Sequence, residues 1–363
     1  MARYRSLRDL DWPLIIIALS ICALGVLEIF SATHGTVWKD VWMKQLLAIA
    51  IGLVMLWLVT TIDYHTLMAQ VPILYVLAIV GLVAVELFGT RSGGARRWLP
   101  MPWGFQLQVS EFVKLVIILL VARYFTELRT EQPGVVDLLK LGGLAGLPML
   151  LVMKEPDLGT ALTMIPVLVC GVFLAGLPWR YVLVILMVAG LVLPLTWGLL
   201  KDYQKARLTT FINPAQDPQG EGYQVIQSTI AVGAGGMWGK GVTRGTQTQL
   251  RFLPVPHTDF IFAAWAEEHG FVGVVVVLGL YFFLLMQIVE NAQKAPDRAG
   301  TLLCMGVASI LLFHILVNVG MVVGRMPVTG IPLPLLSYGG TSVLSVFMML
   351  GLVNNVRLRR FVN

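Results

Sequence analysis

Residues 13–30 read PLIIIALSICALGVLEIF, an apolar run in which Glu28 is the only charged side chain. A helix needs about 20 apolar residues to cross the hydrocarbon core of a bilayer, and about 17 are enough at the short end. Three arginines precede the run, as in a secretory signal peptide, but signal peptides have apolar cores of roughly 7–15 residues followed by a small-residue cleavage site. This run is longer and no clear site follows it, so the sequence predicts an uncleaved first membrane span.

The composition extends this interpretation to the whole chain of 363 residues. Hydrophobic residues make up 57% of it and charged residues only 13%, whereas soluble domains carry about 25% charged residues. A water-soluble globular enzyme and a disordered chain are therefore both excluded. Long apolar runs alternate with short polar breaks, a pattern that favours helices over the alternating strands of a barrel. We expect an all-α integral membrane protein with a single polytopic domain over residues 1–363.

Ten segments have the length and apolarity of membrane-spanning helices. They are residues 13–30, 45–61, 71–88, 109–125, 138–153, 158–177, 180–200, 260–289, 301–323 and 338–356. An even number of spans places both termini on one side of the membrane. Basic residues lie next to both ends of the chain, and cytoplasmic segments are enriched in Lys and Arg, so this side is predicted to be the cytoplasm.

The net charge of +6 is not explained by this topology alone. A simple count places 12 basic residues on the cytoplasmic side and 13 on the outer side. Nine of the outer 13 lie in two segments, 91–97 and 201–251, and long outer loops contribute little to orientation. We therefore retain the orientation and assign these nine residues to an anionic ligand at the outer leaflet rather than to nucleic acid.

The outer loop between spans seven and eight, residues 201–259, is the only long one in this prediction. Its first part, 202–212, mixes apolar with basic residues, which is typical of a helix in the membrane interface. Its second part, from Tyr223 to Trp238, is apolar but short and ends in a glycine-rich turn. This pattern predicts a re-entrant or surface helix.

Charged residues inside a span are costly, so each is a candidate functional residue. Glu111 and Lys114 in the fourth span are three residues apart and share one helix face. They either form a structural ion pair between helices or line a polar cavity that holds substrate.

The segment from Phe252 to Ala263 reads FLPVPHTDFIFA. Its two prolines favour a rigid, extended chain, and Thr258 or Asp259 then has the position of an N-cap for the eighth span. Asp259 has a second candidate role, because it follows His257 and the basic loop at the outer mouth of the span. There its carboxylate can act as a general base toward a hydroxyl while the cations hold an anionic leaving group.

Seven short motifs occur in order along the chain. They are Ala95–Trp98 (ARRW), Ser110–Lys114 (SEFVK), Glu155–Thr160 (EPDLGT), Arg207 with Phe211 and Asn213-Pro214, Gly222–Ser228 (GYQVIQS), His257–Phe260 (HTDF) and Leu333–Thr341 (LPLLSYGGT). Together they resemble the SEDS family of shape, elongation, division and sporulation proteins over essentially the whole chain. Val328–Pro332 (VTGIP) and residues 156–160 resemble the elongation members more than the division members.

The resemblance implies a peptidoglycan glycosyltransferase of the bacterial cytoplasmic membrane that polymerises lipid II into glycan strands on the extracytoplasmic side. It also implies a class B penicillin-binding protein, the cross-linking transpeptidase, as partner, and undecaprenyl pyrophosphate as leaving group. Asp259 would take the proton from the attacking hydroxyl. Arg207 and Lys240 are candidates to bind the pyrophosphate, Arg207 foremost because a guanidinium binds two oxygens at once. No cofactor or metal site is predicted, since the histidines show no ligand spacing, and assistance by a divalent cation stays open.

Four further residues are expected to bind substrate in the cavity: Glu111, Lys114, Asp157 and His257. Trp98 either stacks on a sugar or packs against lipid, and Ser337 is expected to shape a tight turn at the tenth span. Two alternatives to a polymerase remain at this point. One is a transporter that flips lipid II across the membrane, and the other is a non-catalytic scaffold for a transpeptidase.

Overall fold

The computed structural model describes residues 10–92, 95–100, 106–128, 132–178, 202–213 and 220–360, with isolated positions between 180 and 198. Within these residues the regular secondary structure is helical apart from one small three-stranded sheet. The helices are α1 (Trp12–Thr33), α2 (Val41–Thr61), α3 (Tyr64–Ala69), α4 (Val71–Phe88), α5 (Val109–Glu127), α6 (Val135–Lys154), α7 (Leu158–Leu162), α8 (Ile165–Leu174), α9 (Asp202–Ile212), α10 (Glu221–Ala234), α11 (Thr246–Gln249), α12 (Ile261–Gln293), α13 (Arg298–Val322) and α14 (Gly340–Arg359). The strands are β1 (Thr90–Ser92), β2 (Ala95–Pro100) and β3 (Gln106–Leu107).

Seven of the described helices are long and apolar enough to cross a membrane, namely α1, α2, α4, α6, α12, α13 and α14. Each coincides with one of the predicted spans, and the chain is a multi-pass helical membrane protein. The predicted fourth span forms α5, and the predicted sixth is divided into α7 and α8 by a turn at Thr163 and Met164. The predicted seventh span, 180–200, lies largely outside the described residues, so the count of ten spans stays a prediction.

Helices α2 and α14 form the most extensive helix pair among those described. Small residues permit the contact. A Cβ on Gly52 would lie 2.5 Å from Phe347 Cδ2, and a Cβ on Gly351 would lie 2.8 Å from the carbonyl oxygen of Leu56. In lipid, where water does not drive apolar surfaces together, helices associate through close van der Waals packing at small residues. The backbones of α2 and α14 therefore approach each other directly.

The two ends of the described chain meet at one end of the bundle. The backbone amide of Asp11 donates to Asn354 Oδ1 at 2.7 Å, and the Asp11 carboxylate pairs with Arg357 at 2.9 Å. These contacts join the amino end of α1 to the carboxyl end of α14. That this side faces the cytoplasm stays a prediction.

The glycine-rich segment 233–241 packs against a break in α12. Gly270 interrupts this helix with φ 64°, a left-handed value that favours glycine. A Cβ on Gly270 would lie 2.3 Å from the backbone nitrogen of Gly239, and the amide freed at Phe271 donates to the carbonyl oxygen of Gly236 at 2.9 Å. The glycines therefore allow two backbones to pack together where the helix is interrupted.

Helices also occur where the sequence predicts them in the long loop, residues 201–259. Helix α9 covers 202–212, and α10 covers most of the second predicted segment and ends at a turn that contains Gly236 with φ 54°. The position of these helices relative to the membrane surface stays a prediction.

We expect Gly351→Leu to destabilise the fold through the α2–α14 contact. The new side chain would have to displace Leu56 and Val59, since even a Cβ would come within 3.1 Å of both, and overpacking a filled site costs about 1–3 kcal/mol. The measurement is the midpoint of thermal unfolding in detergent. Gly279→Leu on α12 is the matched control, because a Cβ there meets no described heavy atom within 4 Å. Equal midpoints for the two variants would contradict the direct packing of α2 on α14.

Candidate active site

A cavity of about 1330 Å³ opens at the end of the bundle opposite to the chain ends. Its wall is built from the turn after α1, the first turns of α2 and α5, the start of α7, strand β2, and the segments that precede α12 and α14. Its charged lining residues are Lys39, Lys44, Arg97, Glu111, Asp157, Arg251 and Asp259. Both signs of charge therefore face one open cavity.

Asp259 lies in the wall of this cavity and does not cap a helix. The N-cap of α12 is Phe260, which makes no side-chain capping bond, so the expectation that Thr258 or Asp259 caps this helix is wrong. The backbone of Asp259 is fixed from α13 instead, because Asn318 Nδ2 donates to its carbonyl oxygen at 2.9 Å and to that of Ile331 at 2.8 Å. The carboxylate is not used for capping and faces the cavity.

The surroundings of Asp259 act on its charge in opposite directions. Removal from bulk water is the largest influence and raises the pKa of the carboxyl above its ordinary value. A hydrogen bond from Thr258 and the positive charges of Arg207 and Arg97 lower the pKa, and the negative charge of Asp157 raises it. The net effect is a raised pKa, so Asp259 is a stronger proton acceptor than a solvated aspartate.

Asp157 is, by contrast, saturated with hydrogen bonds. It caps α7, because its Oδ1 accepts from the backbone amide of Thr160 at 3.1 Å and its Oδ2 accepts from the Thr160 hydroxyl at 2.9 Å. The same Oδ2 accepts from Gln108 Nε2 at 3.0 Å and lies 4.0 Å from Arg97 Nε. A carboxylate with this many donors positions its neighbours and is poorly suited to accept a proton from substrate.

Strand β2 brings Arg97 to the cavity. Its Nε donates to the carbonyl oxygen of Glu155 at 3.2 Å, and its Nη2 donates to that of Pro156. Glu155 is buried, and burial raises the pKa of its carboxyl to about 8. This side chain is therefore mostly neutral at neutral pH, which leaves the charge of Arg97 to act on Asp157 and Asp259.

Glu111 and Lys114 form an ion pair beneath the cavity. Lys114 Nζ donates to Glu111 Oε1 at 2.8 Å and lies 3.3 Å from His314 Nε2. The Ser345 hydroxyl donates to Glu111 Oε2 at 2.9 Å. Glu111 lines the cavity, and Lys114 lies behind it. The pair thus joins α5 to α13 and α14, and its carboxylate also belongs to the cavity floor.

A strip of aromatic rings runs along one wall. The ring of His257 lies between those of Trp38 and Tyr338, with centroid distances of 6.0 Å and 5.9 Å. Burial lowers the pKa of His257, so the ring is neutral at neutral pH. Ser337 forms part of a turn, as expected, and its hydroxyl donates to the carbonyl oxygen of Thr258 at 2.7 Å. These contacts fix the segment that leads into α12.

Five of the nine predicted site residues line the cavity: Trp98, Glu111, Asp157, His257 and Asp259. Lys114 and Ser337 lie directly behind the wall through the contacts described above. Arg207 on α9 approaches the loop before α14, where its Nη1 lies 3.5 Å from the carbonyl oxygen of Thr329, and its charge acts on Asp259. The structure therefore brings eight of the nine to one region.

Lys240 is the exception, because it does not line the cavity and its ammonium pairs with a buried carboxylate instead. Its Nζ lies 2.9 Å from Glu267 Oε1 and donates to the Thr246 hydroxyl at 2.6 Å. Glu267 is fully buried and also accepts from the backbone amides of Gln247 and Thr248. Lys240 compensates a buried charge that would otherwise be costly, and its predicted contact with pyrophosphate has no support in this geometry.

Several lining residues were not among those predicted from the sequence: Trp38, Lys39, Lys44, Arg97, Gln108, Arg251 and Tyr338. Arg97 and Arg251 belong to the two clusters of outer cations, so charge patterning already pointed to their segments. Lys39 and Lys44 lie outside those clusters. In the sequence, only the neighbouring Trp38 marks this region as a candidate site, because so short a connection between two spans cannot bury a tryptophan.

The chain is similar to characterised proteins over nearly its full length. Residues 11–360 match the FtsW/RodA/SpoVE family, described as cell cycle proteins. The peptidoglycan glycosyltransferase MrdB of Escherichia coli K12 is 38% identical over 358 residues, which cover 97% of this chain and 94% of MrdB. The peptidoglycan glycosyltransferase RodA of Treponema pallidum is 33% identical, over 99% of this chain and 100% of RodA.

Two solved structures share the fold. One is a chain from work on the structural coordination of polymerization and crosslinking by a peptidoglycan synthase complex. It has a TM-score of 0.84 and 35% identity, and the match covers 98% of this chain and 99% of that one. The other is the rod shape determining protein RodA of Thermus thermophilus, with a TM-score of 0.72, 30% identity and coverage of 97% and 98%. The chain therefore belongs to the FtsW/RodA/SpoVE family of cell cycle proteins, and its activity is that of a peptidoglycan glycosyltransferase.

Proposed function

We propose that this peptidoglycan glycosyltransferase of cell elongation polymerises lipid II in the cavity, with Asp259 as the general base. Asp259 accepts the proton of the acceptor's N-acetylglucosamine 4-hydroxyl while the hydroxyl oxygen attacks the anomeric carbon of the donor. The bond from that carbon to the donor's pyrophosphate breaks, and undecaprenyl pyrophosphate leaves with the electron pair. The observation that carries the proposal is the carboxylate of Asp259 in the cavity wall, which caps no helix, feels the charges of two guanidiniums and has a raised pKa.

Arg207 and Arg97 are the groups proposed to bind the pyrophosphate of the donor. Their charges act on Asp259, so they lie near the group that receives the proton. The donor's pyrophosphate is bonded to the reacting carbon and must therefore lie beside the base as well. Negative charge grows on the leaving oxygen as the bond breaks, and guanidiniums already in place stabilise it without reorganisation. Arg97 takes the role that the sequence suggested for Lys240.

A class B penicillin-binding protein is the proposed partner, since a chain of a solved peptidoglycan synthase complex shares this fold. The proposed location is the bacterial cytoplasmic membrane, with the cavity on the outer face and both termini in the cytoplasm. The separation of the chain ends from the cavity supports this orientation, because they lie at opposite ends of the bundle. Lipid II in the outer leaflet would then have direct access to Asp259.

Asp259→Asn is expected to lower the rate of polymerisation by at least about 100-fold, because general-base catalysis contributes roughly 10²–10⁴-fold and an amide cannot take up the proton. The measurement is polymer formation from labelled lipid II in detergent by the purified protein with its partner. The two side chains have nearly the same shape, so the complex should stay intact.

Glu127→Gln is the matched control for that experiment. Glu127 is an exposed carboxylate at the far end of α5, where it pairs with Arg123, and we expect wild-type polymer from this variant. Wild-type rates from Asp259→Asn would overturn the general-base assignment. A wild-type complex that forms no polymer but moves lipid II across vesicles would favour the transporter instead.

As the pH is lowered, the rate of polymerisation should begin to fall at a higher pH than it would with a solvated aspartate as the base. The base works only as a carboxylate, and because its pKa is raised, protonation begins above the usual range as the pH falls. Arg207→Gln removes a positive charge that lowers this pKa, so the acid limb should move to still higher pH. The measurement is kcat/KM for polymerisation against pH. Arg96→Gln is the control, because Arg96 is exposed and donates to the carbonyl oxygen of Glu86. If Arg207→Gln left the acid limb of the pH profile unshifted, the assignment of Asp259 as the base would be contradicted.

A further inference from the structure

In the described part of the chain, three cations line the cavity besides Arg97, namely Lys39, Lys44 and Arg251. Among the described residues, none of the three forms an ion pair with a carboxylate. Lys240, by comparison, is held by the carboxylate of Glu267. Uncompensated positive charges in one part of a cavity raise the local concentration of anions. This part of the cavity is therefore suited to an anionic group of a ligand.

The backbone brings these cations together from two segments. Lys39 lies in the turn between α1 and α2, where its amide donates to the carbonyl oxygen of Thr36 at 3.3 Å, and Lys44 follows near the start of α2. Arg251 follows α11, and its guanidinium donates to the carbonyl oxygen of Gly35 at 3.1 Å, which ties the two segments together. The amino end of α2 adds the partial positive charge of a helix N-terminus to the same region.

The aromatic strip connects the segment of these cations to the segment of the proposed base. Trp38 adjoins Lys39 in the chain, and its ring lies 6.0 Å from that of His257, which precedes Asp259 by two residues. The cations that act on Asp259 are the other pair, on α9 and β2. Arg97 and Arg207 thus act on the base, whereas Lys39, Lys44 and Arg251 line the cavity from the segments that follow α1 and α11.

The two substrates of the proposed reaction differ in where their pyrophosphate lies. In the donor it is bonded to the reacting carbon and must lie next to the base. In the acceptor the attacking hydroxyl and the pyrophosphate are at opposite ends of a disaccharide, so the pyrophosphate lies two sugar rings away from the base. A donor and an acceptor therefore need two anion sites separated by a surface for sugars, and aromatic side chains offer such a surface because each has an apolar face and a polar edge.

We infer that Lys39, Lys44 and Arg251 bind the pyrophosphate of the acceptor lipid, with Trp38 and His257 against its sugars. This inference rests on the proposed function, since it assigns the second substrate of the same reaction to a part of the same cavity. The inference assigns acceptor binding to residues other than Arg207 and Arg97, which are proposed to bind the donor.

The test compares two acceptors that differ in the pyrophosphate. The donor is labelled lipid II in which hydrogen replaces the 4-hydroxyl, so that it cannot act as an acceptor. The acceptors are lipid II and the corresponding disaccharide peptide as a methyl glycoside, which has no pyrophosphate. K39Q/K44Q/R251Q is expected to lower kcat/KM for lipid II as acceptor by at least about tenfold, mainly through KM. Transfer to the glycoside should stay at the wild-type value.

R96Q/K154Q is the matched control, because it removes two described cations that do not line the cavity. An equal loss with both acceptors in the triple variant would overturn the inference, since the defect would then lie at the base or in the fold. The absence of a loss with either acceptor would overturn it as well. A loss that appears only in phosphatidylglycerol vesicles, and not in neutral detergent, would show that these cations bind a bilayer headgroup instead.

Failure of the proposed function gives a different pattern. If Asp259→Asn still transferred sugar, the assignment of Asp259 as the base would be overturned. The comparison of the two acceptors would still show whether the three cations bind the pyrophosphate of the acceptor. If the wild-type protein transferred sugar to neither acceptor, both proposals would be overturned.

Discussion

The ammonium of Lys114 and the carboxylate of Glu111 lie 2.8 Å apart with almost no exposure to solvent. A buried pair of this kind persists when its remaining polar atoms are also satisfied, and here the Ser345 hydroxyl and the His314 ring complete the network. Removing one partner of a buried pair costs about 3–5 kcal/mol, because the other charge is left uncompensated. The network therefore holds α5, α13 and α14 together beneath the cavity.

Helix α13 connects this network both to the loop before α14 and to the backbone of Asp259. His314 Nδ1 lies 3.0 Å from the carbonyl oxygen of Pro332. Asn318, one turn further along α13, donates to the carbonyl oxygens of Asp259 and Ile331. One helix thus contacts the buried ion pair and also fixes the backbone of the proposed base. This explains why polar side chains recur four positions apart in an otherwise apolar helix.

The long described helices could be predicted from the apolar runs, because burial in lipid requires length and hydrophobicity and allows few other patterns. Asp259 could be singled out as well, from a carboxylate placed beside a histidine before an apolar helix. Its partners could not be predicted, since the amide that holds its backbone belongs to Asn318, 59 positions away. Lys240 shows the same limit. Its charge resembled that of a ligand-binding cation, and only the fold reveals that Glu267 neutralises it.

The pKa of Asp259 reflects a balance that donor binding would change. Burial raises it, while the charges of Arg207 and Arg97 lower it. A pyrophosphate bound between these guanidiniums would offset their charge at the carboxylate and displace water from its surroundings, and both changes raise the pKa further. Under the proposed mechanism, Asp259 is therefore a stronger base when the donor is in place than when the cavity is empty. Electrostatics would then couple proton transfer to donor binding.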